Sequence, residues 1–263
     1  MEASSMCPVI RAGRLNPLAR PALEAIESVA RYEKGQTIYR SSDPSEFWYR
    51  VLSGAARKCA ITSAGSRRII DFLFPQDMFG IDEEGRRRFA AEVVADGTTI
   101  ARYPRREIER LADSDPLIAR QIREAAFTSI HHLEARMIML SLGRARERVC
   151  AFLLELTARL GDDRHPREII FPMSRYDVAD YLGMAVETVS RVLTQLRLEG
   201  IIRLNGLRTV RICDWEALES NCGTATTRVA RRRGRAALTV VVMHRKLDAP
   251  AGAGGARCTY RLS

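Results

Sequence analysis

Residues 174–197 read SRYDVADYLGMAVETVSRVLTQLR, and their pattern governs the reading of the whole chain. Ser174 is a helix-capping residue, Asp177 stands three positions on, and Val178, Tyr181 and Leu182 share one helical face. Gly183 follows where two helices must turn sharply. Val189, Leu193 and Leu196 then recur at helical spacing as the buried stripe of a second helix. Its outward face offers Glu187, Ser190 and Arg191 in the N-terminal half, the part of a recognition helix that meets base edges in the major groove.

Those side chains suit base reading. Arginine donates two parallel hydrogen bonds to guanine, glutamate accepts from the cytosine amino group, and serine is adaptable. Glu187 and Arg191 are four apart, so alone they would read equally as an ion pair on a solvated helix. The helix, glycine turn and second helix around them favour DNA. A wing follows: Gly200 ends the helix, and residues 201–204, Asn205-Gly206 and residues 208–212 read as strand, hairpin turn and strand. Arg203, Arg208 and Arg211 either meet backbone phosphates or are solvated strand positions. Ser174, Arg175 and Thr188, near the starts of the two helices, are further phosphate candidates.

The stretch LGMAVETVSRVLTQLRLEGII (182–202) resembles the DNA-binding end of the CRP/FNR family, and VETVSR is similar to the Glu-x-x-Ser-Arg reading helix of its FNR and FixK branches. The resemblance implies an α+β chain: a cyclic-nucleotide-binding-type β jelly roll, a long dimerisation helix and a C-terminal winged helix-turn-helix. It also implies a cytoplasmic homodimer that meets RNA polymerase and activates genes of microaerobic respiration and nitrogen fixation. The implied target is double-stranded DNA carrying TTGAT–four bases–ATCAA, with Glu187, Ser190 and Arg191 on the bases. One departure stands out: Ala185 occupies the place of the family's capping threonine, a loss of about 1 kcal/mol to that helix end.

Composition is consistent with a DNA reader. The formal net charge is +10, but residues 221–263 hold nine Arg or Lys against one Asp, so the body is almost balanced. Its positive charge must therefore concentrate on one face. Residues 219–263 read as a basic, disordered tail that adds non-specific affinity for nucleic acid or has no dedicated role, and its abrupt change of composition also fits an out-of-frame extension. Neither MEASSMCPVIRAGRL nor AALTVVVM has the length or flanks of a secretory or membrane segment, so no membrane partner is expected.

Residues 1–30 read as a leader with a helix over 23–30. Residues 31–113 read as the roll, with strands at 37–39, 47–52, 56–61 and 68–74 punctuated by Gly35, Gly54, Gly65 and Pro75. Residues 114–141 read as a long helix whose stripe of Ile118, Ile122, Ala125, Ser129 and Leu133 is either a dimer seam or an intramolecular core face; the resemblance favours the seam. Residues 144–218 complete the DNA-binding domain, beginning with a helix that buries Val149, Phe152, Leu153 and Leu156.

The sensing function is read from residues 79–90, FGIDEEGRRRFA, which match the stretch that holds cyclic AMP in the family's cyclic-AMP-responsive members. Arg88 is followed by Phe89 rather than a hydroxyl, and Asp82, Glu83 and Glu84 stand nearby, a poor setting for a phosphate. Cyclic AMP is therefore not expected, and residues 86–88 read as a solvated charged loop. Cys7 and Cys59 do not supply the four or so thiolates of an iron–sulfur cluster, so no cluster is expected, as in the FixK branch, where control acts through abundance. A gated regulator with another small ligand in the roll is the alternative. His131, His132, His165 and His244 all lie outside the roll, against a cupin-type metal enzyme, and no nucleophile elbow or phosphate-cradling loop appears. Cys150 and Cys213 read as small apolar residues or, for an exposed Cys213, as an oxidisable thiol near the wing.

Overall fold

The computed structural model describes residues 19–62, 65–81, 85–160, 168–206 and 208–222. Its first half follows from short apolar runs separated by turn residues. A short helix α1 (Arg20–Glu24) leads into β1 (Ser28–Tyr32), β2 (Thr37–Tyr39), β3 (Phe47–Ser53), β4 (Ala56–Ile61), β5 (Arg67–Leu73), β6 (Met78–Phe79), β7 (Ala90–Val93) and β8 (Thr98–Pro104). They form two antiparallel sheets, ordered β1-β8-β3-β6 and β2-β7-β4-β5. Tyr39, Tyr49, Val51, Leu73, Phe79, Val93 and Ile100 fill the space between. Gly54 turns β3 into β4 at φ +82°, and a methyl there would lie 2.3 Å from the Thr98 hydroxyl, so only glycine fits.

The helix expected over 23–30 is shorter and earlier. Pro21 favours the first turn of α1, whereas Ser28 to Tyr32 pair with β8 and become a strand, moving the start of the roll into the expected leader. Strands β6, β7 and β8 and the ten-residue helix α2 (Arg105–Ser114) stand beyond the elements expected.

That helix changes the reading of the long one. Asp115 accepts from the Leu117 amide at 2.8 Å and Pro116 opens α3 (Pro116–Ser141), which runs for 26 residues. Ile118 is fully buried against Trp48, Tyr103 and Ile108, and Ile122 and Ala125 pack on the same cluster, so the expected seam at these positions is an intramolecular face. Ser129 lines a small cavity between α3 and the roll. Only Leu133 of the five expected residues is exposed; the outward apolar residues are Phe127, Ile130, Leu133, Met137, Ile138 and Leu140. The face rotated because α2 and the roll supply apolar partners for the first half of α3.

The second half comprises α4 (Ala145–Leu160), β9 (Glu168–Ile170), α5 (Arg175–Leu182), α6 (Val186–Leu198), β10 (Ile202–Asn205), β11 (Thr209–Ile212) and α7 (Trp215–Ser220). Val149, Phe152, Leu153 and Leu156 of α4 are buried against α5, α6 and the β10-β11-β9 sheet. The same apolar cluster runs on into the roll through Cys59, Ile69, Phe72 and Phe74. Leu218 and Cys222 are buried too, so the domain extends past the boundary expected at 218. The tail beyond 222 lies outside the described residues. Among the described residues no helix is long and apolar enough to cross a membrane.

Candidate nucleic-acid interface

The reader is built on two caps of unequal quality. At α5 the Asp177 amide donates to Ser174 Oγ (3.2 Å) and the Ser174 amide donates back to Asp177 Oδ2 (3.1 Å), a reciprocal box that fixes the helix start. Gly183 ends α5 in the left-handed conformation, φ +63°, and redirects the chain. At α6 the N-cap is Ala185, which has no side-chain acceptor.

Burial of Val189, Val192, Leu193 and Leu196 sets the outward face of α6. Glu187 and Arg191 are exposed on it and Ser190 is half-buried. Among the described residues Glu187 and Arg191 do not pair; Arg191 Nη2 instead donates to Thr188 Oγ1 at 3.4 Å. A carboxylate acceptor and a guanidinium fork therefore stand side by side in water, available to base edges.

The other candidates spread around this face. Arg175 and Thr188 are half-buried near the starts of α5 and α6. The wing pairs Arg203 directly with Arg211 across β10 and β11, both exposed. Like charges facing each other cost stability, and an anion between them relieves that cost. Arg208 is also exposed, beyond Asn205, whose register partner is Thr209. That register places Asn205 in β10 rather than in the turn expected there.

The contacts that hold the reader join residues far apart in the chain. Asp177 forms an ion pair with Arg57 of β4, which also donates to Glu92 at 2.8–3.0 Å. Asp180 accepts from Arg68 at 3.1 Å and from the Ile69 amide at 2.9 Å. Arg136 of α3 donates to the Ile69 and Ile70 carbonyls of β5 and, at 3.2 Å, to the Tyr181 carbonyl of α5, with its guanidinium 4.4 Å from the Tyr181 ring centre. Arg159 of α4 reaches the Phe72 carbonyl (2.7 Å), Asp77 (2.8 Å) and its neighbour Glu155 (3.1 Å). Burial pushes the Glu155 carboxyl above the usual range, opposed by Arg159.

An arginine side chain enters the roll from the stretch matched to the nucleotide. Arg86 and Arg88 are exposed, as expected of a charged loop, but Arg87 is buried and its guanidinium packs on Tyr39 and Tyr49. Its two terminal nitrogens donate to the Gly80 and Phe47 carbonyls. The cavity between the roll and α3 measures about 20 Å³, room for one water. Among the described residues no group of three or more His, Cys, Asp or Glu can hold a metal ion. Cys150 is buried and its thiol is pushed up to about 12, so it behaves as an apolar residue; Cys213 is exposed.

Residues 147–220 match the family described as Crp-like helix-turn-helix domain, and residues 29–115 the family described as Cyclic nucleotide-binding domain. The nitrogen fixation regulation protein FixK of Rhizobium meliloti (strain 1021) is 35% identical over 206 residues, spanning 78% of this chain and 90% of that protein. Its namesake from Azorhizobium caulinodans is 36% identical over 204 residues, 76% of this chain and 82% of the relative. The solved structure of FixK2 from Bradyrhizobium japonicum superposes with a TM-score of 0.70 at 34% identity, covering 76% of this chain and 99% of that one. With its double-sheet roll, long helix and winged reader, the chain belongs to the CRP/FNR family of DNA-binding transcription regulators, and FixK proteins are among its relatives.

Proposed function

We propose that the chain is a FixK-like transcription activator of microaerobic and nitrogen-fixation genes that binds TTGAT–four bases–ATCAA as a cytoplasmic homodimer without a small effector. The observation that carries the reading is that Glu187 and Arg191 are exposed on one face of α6 and, among the described residues, do not pair with each other. In this reading Glu187, Ser190 and Arg191 contact bases, and Ser174, Arg175, Thr188, Arg203 and Arg208 contact phosphates. The names of the FixK relatives support the nitrogen-fixation role. Activation requires contact with RNA polymerase, as the family resemblance implies.

The outward stripe of α3 supports the dimer. Ile130, Leu133, Met137 and Leu140 recur at three- and four-residue steps, the spacing of a two-helix seam, and are exposed in the single chain. Two copies joined there would present two recognition helices about 34 Å apart, one turn of DNA. Independence from an effector is supported by the filled roll. The test is binding of ligand-free protein to the palindrome and to a scrambled duplex at fixed salt. Site-selective binding is expected; weak binding to both, rescued by a small molecule, would replace this reading with a ligand-gated regulator.

A further inference from the structure

Within the stretch that would hold a cyclic nucleotide, one arginine side chain turns into the roll. Arg87 is locked in place by its backbone: its amide donates to the Asp43 carbonyl and its carbonyl accepts from the Ser42 amide, both at 2.8 Å. The side chain turns inward and is 2% exposed. Its guanidinium carbon lies 4.5 Å from the ring centre of Tyr39 and 5.5 Å from that of Tyr49. Tyr39, Tyr49 and Phe79 have ring centres 5.2, 5.3 and 6.1 Å apart, so they form one aromatic group around it. Arg87 Nη1 donates to the Gly80 carbonyl at 2.5 Å, and Nη2 donates to the Phe47 carbonyl.

Gly80 fits the same arrangement. It adopts φ +74°, and a methyl there would lie 2.9 Å from both Arg87 Nη1 and the Tyr49 ring. The backbone thus passes directly beside the guanidinium. A delocalised planar cation satisfies this seat, because it offers faces to aromatic rings and a fork of donors to carbonyls. A compact ammonium can lie over a ring but lacks the planar fork that stacks on it and reaches both carbonyls at once. One side chain so ties together β2, β3 and the end of β6 from inside the roll.

We propose that Arg87 is a built-in occupant of the roll, and that truncating it uncovers a binding site for a planar guanidinium cation beside Tyr39 and Tyr49. The sensor-like domain is then ordered by a ligand it carries in its own sequence. A roll that contains its occupant has no need of one from solution. This explains an interior that accepts no phosphate while the two-sheet frame is kept.

Thermal unfolding of the full chain tests this for wild type, Arg87→Ala, Arg87→Lys and Arg87→Leu, each with ethylguanidinium or ethylammonium chloride at equal low millimolar concentration. Arg87→Ala is expected to melt lower by roughly 5 °C or more. Ethylguanidinium should raise its midpoint saturably towards wild type and leave wild type unmoved; ethylammonium should do neither. Arg87→Lys, which keeps the charge and the stem, should also melt below wild type. Arg87→Leu or Arg87→Lys as stable as wild type would reduce Arg87 to filler and overturn the proposal. Equal rescue by ethylammonium, or stabilisation of wild type by cyclic AMP, would overturn it too. Melting is the readout, so failure of the proposed DNA site leaves this test standing.

Discussion

Asp177 caps the first helix of the DNA reader and, with the same carboxylate, ion-pairs with Arg57 of the roll, 120 residues away in sequence. Both side chains are almost buried. Replacing Asp177 by Ala leaves the amide at 177 on Ser174 Oγ but removes the acceptor of the Ser174 amide and one carboxylate of Arg57, which keeps Glu92. The expected loss is about 2–3 kcal/mol, read by urea unfolding. A change under about 0.5 kcal/mol would mean that the pair adds nothing beyond its own desolvation.

Arg191 is exposed on the reading face, held only by its donation to Thr188 Oγ1 among the described residues. Its replacement by Ala should weaken binding to the matched palindrome by about 1–3 kcal/mol and relax preference at one guanine, as read by titration of single-base variants. Equal weakening on all sequences would make Arg191 a phosphate contact.

Ala185 has the backbone of a good N-cap, φ −72° and ψ 146°, without the side chain. Ala185→Ser should therefore stabilise the chain by about 0.5–1 kcal/mol in equilibrium unfolding. No gain would show that water already satisfies the first amides of α6.

Two faces of α3 should respond differently to charge. Leu133→Asp or Met137→Asp, on exposed positions, should leave the fold intact and shift the protein from dimer to monomer by analytical ultracentrifugation. Ile118→Asp, buried against Trp48 and Tyr103, should unfold the roll instead. A dimer that survives both exposed charges would place the interface elsewhere.

Glu155 predicts a pH dependence. Its carboxyl faces Arg159, Asp71 and Arg136 and is raised above 4.5 mainly by burial. A proton held more tightly in the folded chain adds stability below the unfolded value, and that contribution is lost as pH rises through the folded value. Glu155→Gln should thus be more stable than wild type at neutral pH, with the advantage shrinking as pH falls towards 4.5. An advantage that does not vary with pH would exclude titration of this group as its source.

The reader was legible because its determinants are local. Ser174, Asp177, Gly183 and the apolar stripe of α6 lie within 24 residues and obey capping and periodicity rules, and the described structure places Glu187 and Arg191 outward as their spacing implied. Strands β3 and β4 were legible for the same reason. What escaped depends on distant partners. Ser28 to Tyr32 become a strand only because β8 lies alongside, and the inward face of α3 is chosen by α2. Arg87 looked like its neighbours Arg86 and Arg88; only the fold places two tyrosines around it. Arg57, Arg136 and Arg159 carried no mark of their partners 120, 45 and 82 residues away.

The apolar cluster that runs without a break from Phe72 and Phe74 into Phe152 and Tyr181 means that the two family domains share one interior. Cutting the gene at the obvious module border would leave each fragment with a raw hydrophobic wound and stranded charges. A chimera that borrows a foreign roll must import partners for Asp177 and Asp180 with it. Roll and reader therefore exchange as one unit in this chain, and recombination that respects only the visible modules should yield insoluble protein.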